Sequence, residues 1–394
     1  MNIIDIITKK RNGGELSNDE LEFVVNSDIP DYQLSALLMA IFLKGMTDME
    51  TIGLTYWLAK SGKQFDFTDD STFIDLHSTG GVGDKCTLIV APIVAACGAK
   101  VAKLAGRGLG HTGGTVDKLE SFPDFSCNLS PEQFENQART IGIAIGAQTD
   151  EITPKDGELY HLRDVTGTVE SLPLIASSIM SKKLATGCPN IVLDVTYGSG
   201  AFMKTKKDAR KLAALMKKIG NMHERKTVAV ITPMSEPLGN CIGNILEVEE
   251  AISYLSNGKF PSLGGVDAEG GRGGSLPDKN LQKICTLLAV NMLELALSMN
   301  PIEALKSVQE VVQNGKALEK FQQMVEAQGG KWTASFPQSK IIEKQTLEDL
   351  DAYKIGDLVR SLGGGRLKKD DKIDLTVGVK ILNRTTKEVE IHKN

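Results

Sequence analysis

Three stretches of this chain bring together groups that handle anions and carbonyl edges. The first runs from His77 to Asp84 (HSTGGVGD), with glycines at 80, 81 and 83. Glycine allows positive φ and close backbone approach. A helix pattern begins just beyond, so free N–H groups, together with the hydroxyls of Ser78, Thr79 and Thr87, suit an oxyanion. The second stretch runs from Ala105 to Glu120 and holds five glycines between 106 and 114, interleaved with Arg107, His111, Thr112 and Thr115. The first loop does not end as a P-loop does and does not fit the dinucleotide fingerprint. The third stretch is LRDVTGTVE (162–170) and the helix after it. Arg163 can give two hydrogen bonds to a carbonyl edge. Ser178 and Lys182 are four apart and share a helix face. Each of these residues alone is more often a solvated or capping group. Two elaborate glycine loops behind successive strands exceed what turns require.

Such groups must be held by regular elements. The first 65 residues read as helices, with capping-box spacing at Ser17/Glu20 and Thr47/Glu50. Between them, residues 31–44 are apolar on nearly all sides, as in a helix buried among others. The pattern changes at Phe73. A short strand (73–76), a glycine turn, a helix (85–97), a strand (100–104), a second glycine turn and a helix start near Gly114 spell a parallel α/β layer. Ligands collect at the carboxyl ends of such strands, where both loops would lie. Helical patterning returns over 154–184. Strand and helix then alternate: 190–194, 208–219, 227–231 and 243–255. Helical patterns follow at 278–299 and 302–328, and the tail from Ile355 suggests short strands. The fold class expected is α/β. A small discontinuous all-helical domain (1–65 and 154–188) faces a larger α/β domain (70–153 and 189–394) with a central mixed sheet, and a cleft lies between them. Residues 264–274 hold six glycines in eleven positions and read as a surface loop.

The chain has 394 residues, more than one core readily serves. A net charge of −5 argues against nucleic acid or an anionic membrane as the main partner, though a nest of N–H groups can still hold a small anion. The six cysteines form no CxxC pair, which points to free thiols in a reducing cytoplasm rather than zinc or a redox dithiol. No apolar run is long enough to span a membrane, and the amphipathic N-terminus is not a secretory signal.

Taken together, GRGLGHTGGTVDKLES (106–121), HSTGGVGD (77–84), LRDVTGTVES (162–171), LIASSIMSKKLA (174–185) and GSGAFMK (198–204) resemble the thymidine/pyrimidine-nucleoside phosphorylases. The likeness covers residues 1 to 330 in order and is weaker beyond. It implies a homodimer whose subunits close two domains over a pyrimidine nucleoside and inorganic phosphate. The reaction implied yields free base and pentose 1-phosphate without an organic cofactor. Carried over by position, Arg163, Ser178 and Lys182 would hold the base, and His77 would assist at its carbonyl. Ser78, Thr87 and Thr115 would hold phosphate. The likeness extends around residues 237–250, where some members carry a monovalent cation. Gly83, Leu238, Cys241 and Glu250 would hold such a cation, K+, here.

Three positions depart from the family pattern. Leu76 stands where the motif has lysine, Ala105 where it has serine, and Thr196 where it has lysine, followed by Tyr197. Losing a lysine from a partly buried anion site costs about 1.5–3 kcal/mol. Lys103 lies two residues before Ala105, on the same strand face, and is expected to restore charge to the phosphate site. The 264–274 stretch resembles an insertion, and the chain ends before the family's usual terminus. Phosphorolysis is the leading expectation. Hydrolysis, or nucleoside binding without catalysis, would follow if Leu76 and Ala105 had disabled the anion site.

Overall fold

The computed structural model describes residues 1–108, 113–149, 151–257, 278–332, 339–366 and 371–393. The chain begins with four helices, α1 (Ile3–Arg11), α2 (Asn18–Asn26), α3 (Asp31–Lys44) and α4 (Asp48–Lys60). Both expected capping boxes form: Ser17 with Glu20 opens α2, and Thr47 with Glu50 opens α4. Each satisfies two N–H groups that a helix start leaves without partners. Glu50 also accepts the ammonium of buried Lys10 at 2.6 Å, which ties α1 to α4.

A strand-helix alternation follows: β1 (Phe73–Ser78), α5 (Cys86–Ala96), β2 (Lys100–Ala105), α6 (Thr115–Leu119), α7 (Pro131–Ile141) and β3 (Ile143–Ala147). Two helices interrupt it, α8 (Pro154–Thr166) and α9 (Leu172–Thr186). It resumes with β4 (Asn190–Tyr197), α10 (Lys206–Met222) and β5 (Lys226–Pro233). Leu159 and Leu162 of α8 and Leu174 of α9 join the apolar cluster of the first four helices. Further along α9, Ile175, Ala176 and Met180 pack instead against β4 and α10. Helix α9 therefore belongs to both layers and couples them.

The five strands lie in the order β3-β2-β1-β4-β5, and every pairing is parallel. The expected mixed sheet is corrected here. Strands buried on both faces and joined by crossover helices pair in parallel. The antiparallel pairs belong to a separate four-stranded sheet, order β6-β8-β9-β7. It is built from β6 (Cys241–Ile242), β7 (Lys340–Thr346), β8 (Gly378–Asn383) and β9 (Glu388–Lys393). Helices α11 (Asn244–Asn257), α12 (Lys279–Leu297), α13 (Pro301–Gln313), α14 (Lys316–Ala327) and α15 (Ala352–Val359) complete the chain. Gly315, at φ +83°, breaks the expected 302–328 helix into α13 and α14. In the parallel sheet, strand order reverses between β1 and β4, and loops diverging there open a crevice at the carboxyl edge. His77 and Ser78 end β1 at that crevice.

Candidate active site

The loop after β1 is stitched to β4. Thr79 N–H donates to Asp194 O at 2.9 Å, and the Thr79 and Thr196 hydroxyls lie 2.9 Å apart. Thr196 Oγ1 also donates to Gly80 O at 2.6 Å. Thr196 thus fixes the first glycine loop from beneath. Ser78 Oγ accepts Gly80 N–H at 3.2 Å, forming a hydroxyl turn at the loop's entry. Thr87 is buried in the first turn of α5, and Thr115 is the half-buried first residue of α6. His111 and Thr112 of the second loop lie outside the described residues, as does the 264–274 stretch.

Leu76 and Ala105 both belong to the apolar core cluster of the α/β layer. The charge beneath the crevice comes from elsewhere. Lys103, only 4 % exposed, donates through Nζ to the carbonyl of Leu76. Burial, with the charge of Lys183 beside it, pulls the Lys103 ammonium down to about 7. Lys183 is fully buried and pairs with Asp75 at 2.8 Å. Burial and the charges of Lys183, Lys103 and Lys182 hold His77 well below the ordinary imidazole value. Its ring is therefore neutral near pH 7, able to donate a hydrogen bond but not to arrive as a cation. Across the sheet, burial and the neighbouring Asp84 charge raise the Asp194 carboxyl to about 7. Acid charge under the loop is thus partly suppressed, while lysine charge is concentrated there.

The helical side contributes from α8 and α9. Lys182 Nζ donates to Ser178 Oγ at 3.1 Å and Ser178 O at 2.9 Å, as their i,i+4 spacing requires. It also pairs with the buried carboxylate of Asp156 near the start of α8. Arg163 is placed differently from a free carbonyl clamp. It is 2 % exposed and donates to Val169 O at 2.7 Å, Leu174 O at 3.1 Å and Thr168 O at 3.5 Å. Its guanidinium braces the turn between α8 and α9 with three of its five N–H groups, which leaves one on each Nη for a ligand. The structure thus brings Ser178 to Lys182, and Lys103 to the β1 terminus. It anchors Arg163 to the α8–α9 turn through three backbone carbonyls.

At the expected cation position, Leu238 O and Cys241 O and the Glu250 carboxylate converge on the ammonium of Lys85, not on open space. Gly83 stands beside them: a Cβ there would lie 2.5 Å from Leu238 O. Where a free ion was expected, these three acceptors are taken by the side-chain ammonium of Lys85. Lys85 ends the first loop, but a lysine beside a glycine loop reads from sequence as solvated or phosphate-facing. A second buried lysine, Lys118, bonds Asp84 O at 2.5 Å and Glu247 at 2.7 Å. Glu247 and Glu250, three apart on α11, therefore anchor both glycine loops. Sequence spacing hints at that shared face but not at its lysine partners. Asp156 and Asp75 also escaped the sequence reading, since their partners are 26 and 108 residues away, and Thr196, noted there only as a departure, meets Thr79 across 117 residues.

The glycosyl transferase family models match the chain in two parts: the helical bundle domain at residues 4–62 and the a/b domain at 70–318. A pyrimidine nucleoside phosphorylase C-terminal domain matches residues 346–393. The pyrimidine-nucleoside phosphorylase of Staphylococcus haemolyticus (strain JCSC1435) is 46% identical over 99% of this chain and 89% of its own length. That of Bacillus subtilis (strain 168) is 44% identical over 99% and 90%. The chain belongs to the pyrimidine-nucleoside phosphorylase family. Among solved structures, anthranilate phosphoribosyltransferase (TrpD) from Thermus thermophilus is similar at TM-score 0.62 and 15% identity, covering 82% of this chain and 99% of that one. This second likeness concerns the fold. It places the phosphorylase family member among proteins with a helical bundle set on a parallel α/β layer.

Proposed function

We propose that this family member cleaves the N-glycosidic bond of uridine, thymidine or deoxyuridine with inorganic phosphate, giving free pyrimidine and pentose 1-phosphate. The observation that carries the reading is the concentration of buried lysine charge at the carboxyl end of β1. Among the described residues, Lys103 has no carboxylate at ion-pair distance; burial, with the charge of Lys183 beside it, lowers its pKa to about 7, so its charged form calls for a nearby negative charge. A phosphate dianion beside Ser78, Thr87 and Thr115 supplies it.

In the proposed reaction a phosphate oxygen attacks C1′ as the C1′–N1 bond breaks. The electron pair passes to the pyrimidine ring and its carbonyl oxygens, and the departing base takes its proton from solvent. Lys182, oriented by Asp156 and Ser178, and Arg163 stabilise that developing charge. Neutral His77 donates a hydrogen bond to a base carbonyl. Closing the helical layer on the α/β layer aligns the two reactants and excludes water.

The protein is further proposed to act as a homodimer in the reducing cytoplasm. Tyr32, Met39, Phe42 and Leu43 leave apolar surface exposed on α3, which suits a subunit contact. The six cysteines are free, and no single described helix is long and apolar enough to cross a membrane. The experiment that tests the activity is the rate of uracil release from uridine as phosphate is varied. Saturable dependence on phosphate supports phosphorolysis. Release at full rate without phosphate points to hydrolysis, and binding without release to a non-catalytic homologue.

A further inference from the structure

Three oxygen atoms from a loop, a strand and a helix converge on one nitrogen beside the first glycine loop. Leu238 O, Cys241 O and Glu250 Oε2 lie 2.8, 2.9 and 2.6 Å from Lys85 Nζ. The Lys85 side chain is 0% exposed. The Glu250 carboxylate is itself fixed by Asn240 N–H at 2.8 Å and Cys241 N–H at 3.0 Å. Two backbone carbonyls and one carboxylate are a donor set that can replace the hydration shell of a monovalent metal ion. An ammonium meets the same set through hydrogen bonds, and its three N–H groups match the three acceptors. Gly239, at φ +78°, packs against the pair: a Cβ there would lie 2.5 Å from Lys85 Nζ and 2.6 Å from Glu250 Oε2. The position is too closely built to hold a second cation beside the first.

We propose that the Lys85 ammonium is a tethered substitute for a monovalent cation, so that this chain holds its first glycine loop in place without potassium. Lys85 is also the residue that starts α5, and its side chain joins that helix start to the 237–242 segment and α11. Where a diffusible ion would make this junction depend on salt, a covalent ammonium makes it permanent. The assignment does not depend on which substrate the enzyme takes.

The test is thermal unfolding of the full chain in potassium chloride and in choline chloride at equal ionic strength. The unaltered protein is expected to show the same midpoint in both. Lys85→Thr places a good helix-starting residue at this position and leaves the oxygens facing open space. It is expected to melt lower in choline and to regain roughly 5 °C in potassium, the scale of a ligand present well above its dissociation constant. Lys85→Met fills the stem's volume without charge and is expected to melt low in both salts. A potassium-specific rise in the unaltered protein would overturn the assignment, as would a folded Lys85→Thr variant indifferent to potassium. If Lys85→Thr folds in neither salt, the comparison on the unaltered protein decides between the two outcomes.

Discussion

Replacing Lys103 with methionine keeps the length of the side chain and removes its charge. If this ammonium meets phosphate, Lys103→Met raises the KM for phosphate by about 10- to 150-fold, the equivalent of about 1.5–3 kcal/mol. The effect on the KM for nucleoside should be small. The pKa of about 7 adds a pH signature, because the free enzyme loses this proton as pH rises above neutrality. The ratio of variant to wild-type KM should therefore shrink above pH 7, and phosphate's own titration cancels in that ratio. The stability linkage has the opposite sense. Between about 7 and the ordinary 10.5 the unfolded chain holds a proton that the folded chain lacks, so this lysine's unfavourable contribution is full below pH 7 and relieved as pH rises. On the base side, Lys182→Met is predicted to lower kcat/KM for uridine about 10²- to 10³-fold, as loss of one charge-stabilising donor does elsewhere. Asp156→Asn should cost less and leave the KM for phosphate unchanged. Steady-state kinetics in both substrates checks all three. The pairing of Ser178 with Lys182 was legible from spacing alone. The three carbonyls that hold the Arg163 guanidinium in place were not legible, because sequence does not show which backbone groups face it.

Elements carry the site through buried ion pairs that link distant segments. Asp75 on β1 and Lys183 on α9 are both fully buried and 2.8 Å apart. Removing one partner alone strands a buried charge, so Lys183→Met is predicted to destabilise the fold by about 3–5 kcal/mol. Changing both residues to apolar ones of similar volume should recover most of that loss, and denaturant unfolding of the single and double variants tests it. Most helices and four of the five parallel strands were legible, because period and capping residues mark them locally. β3 was not, since IAIGA offers five small or apolar residues with no alternation and sits directly behind α7. Short strands were expected in the tail, but not that they form a sheet of their own. Alternation there signals strands but not which sheet they join, and β6 pairs with β8 across a long separation, Cys241 opposite Lys380.

At the scale of the whole molecule, the sequence correctly implied a helical layer interrupting an α/β layer, because the change of period at residue 73 and its return at 154 are local events. The contacts of α9 with both layers are long-range, and no local pattern encodes them. The exposed apolar face of α3 makes a prediction at this scale. Leu43→Asp combined with Phe42→Asp should halve the mass seen by sedimentation if that face joins two subunits, and leave it unchanged otherwise. The central claim concerns what the pentose is joined to after cleavage. Phosphorus NMR of the enzyme turning over uridine in phosphate buffer reads this directly. Phosphorolysis gives a new phosphate-monoester resonance, from pentose 1-phosphate, growing in step with free uracil. Uracil appearing with free ribose and no new phosphorus signal would contradict it.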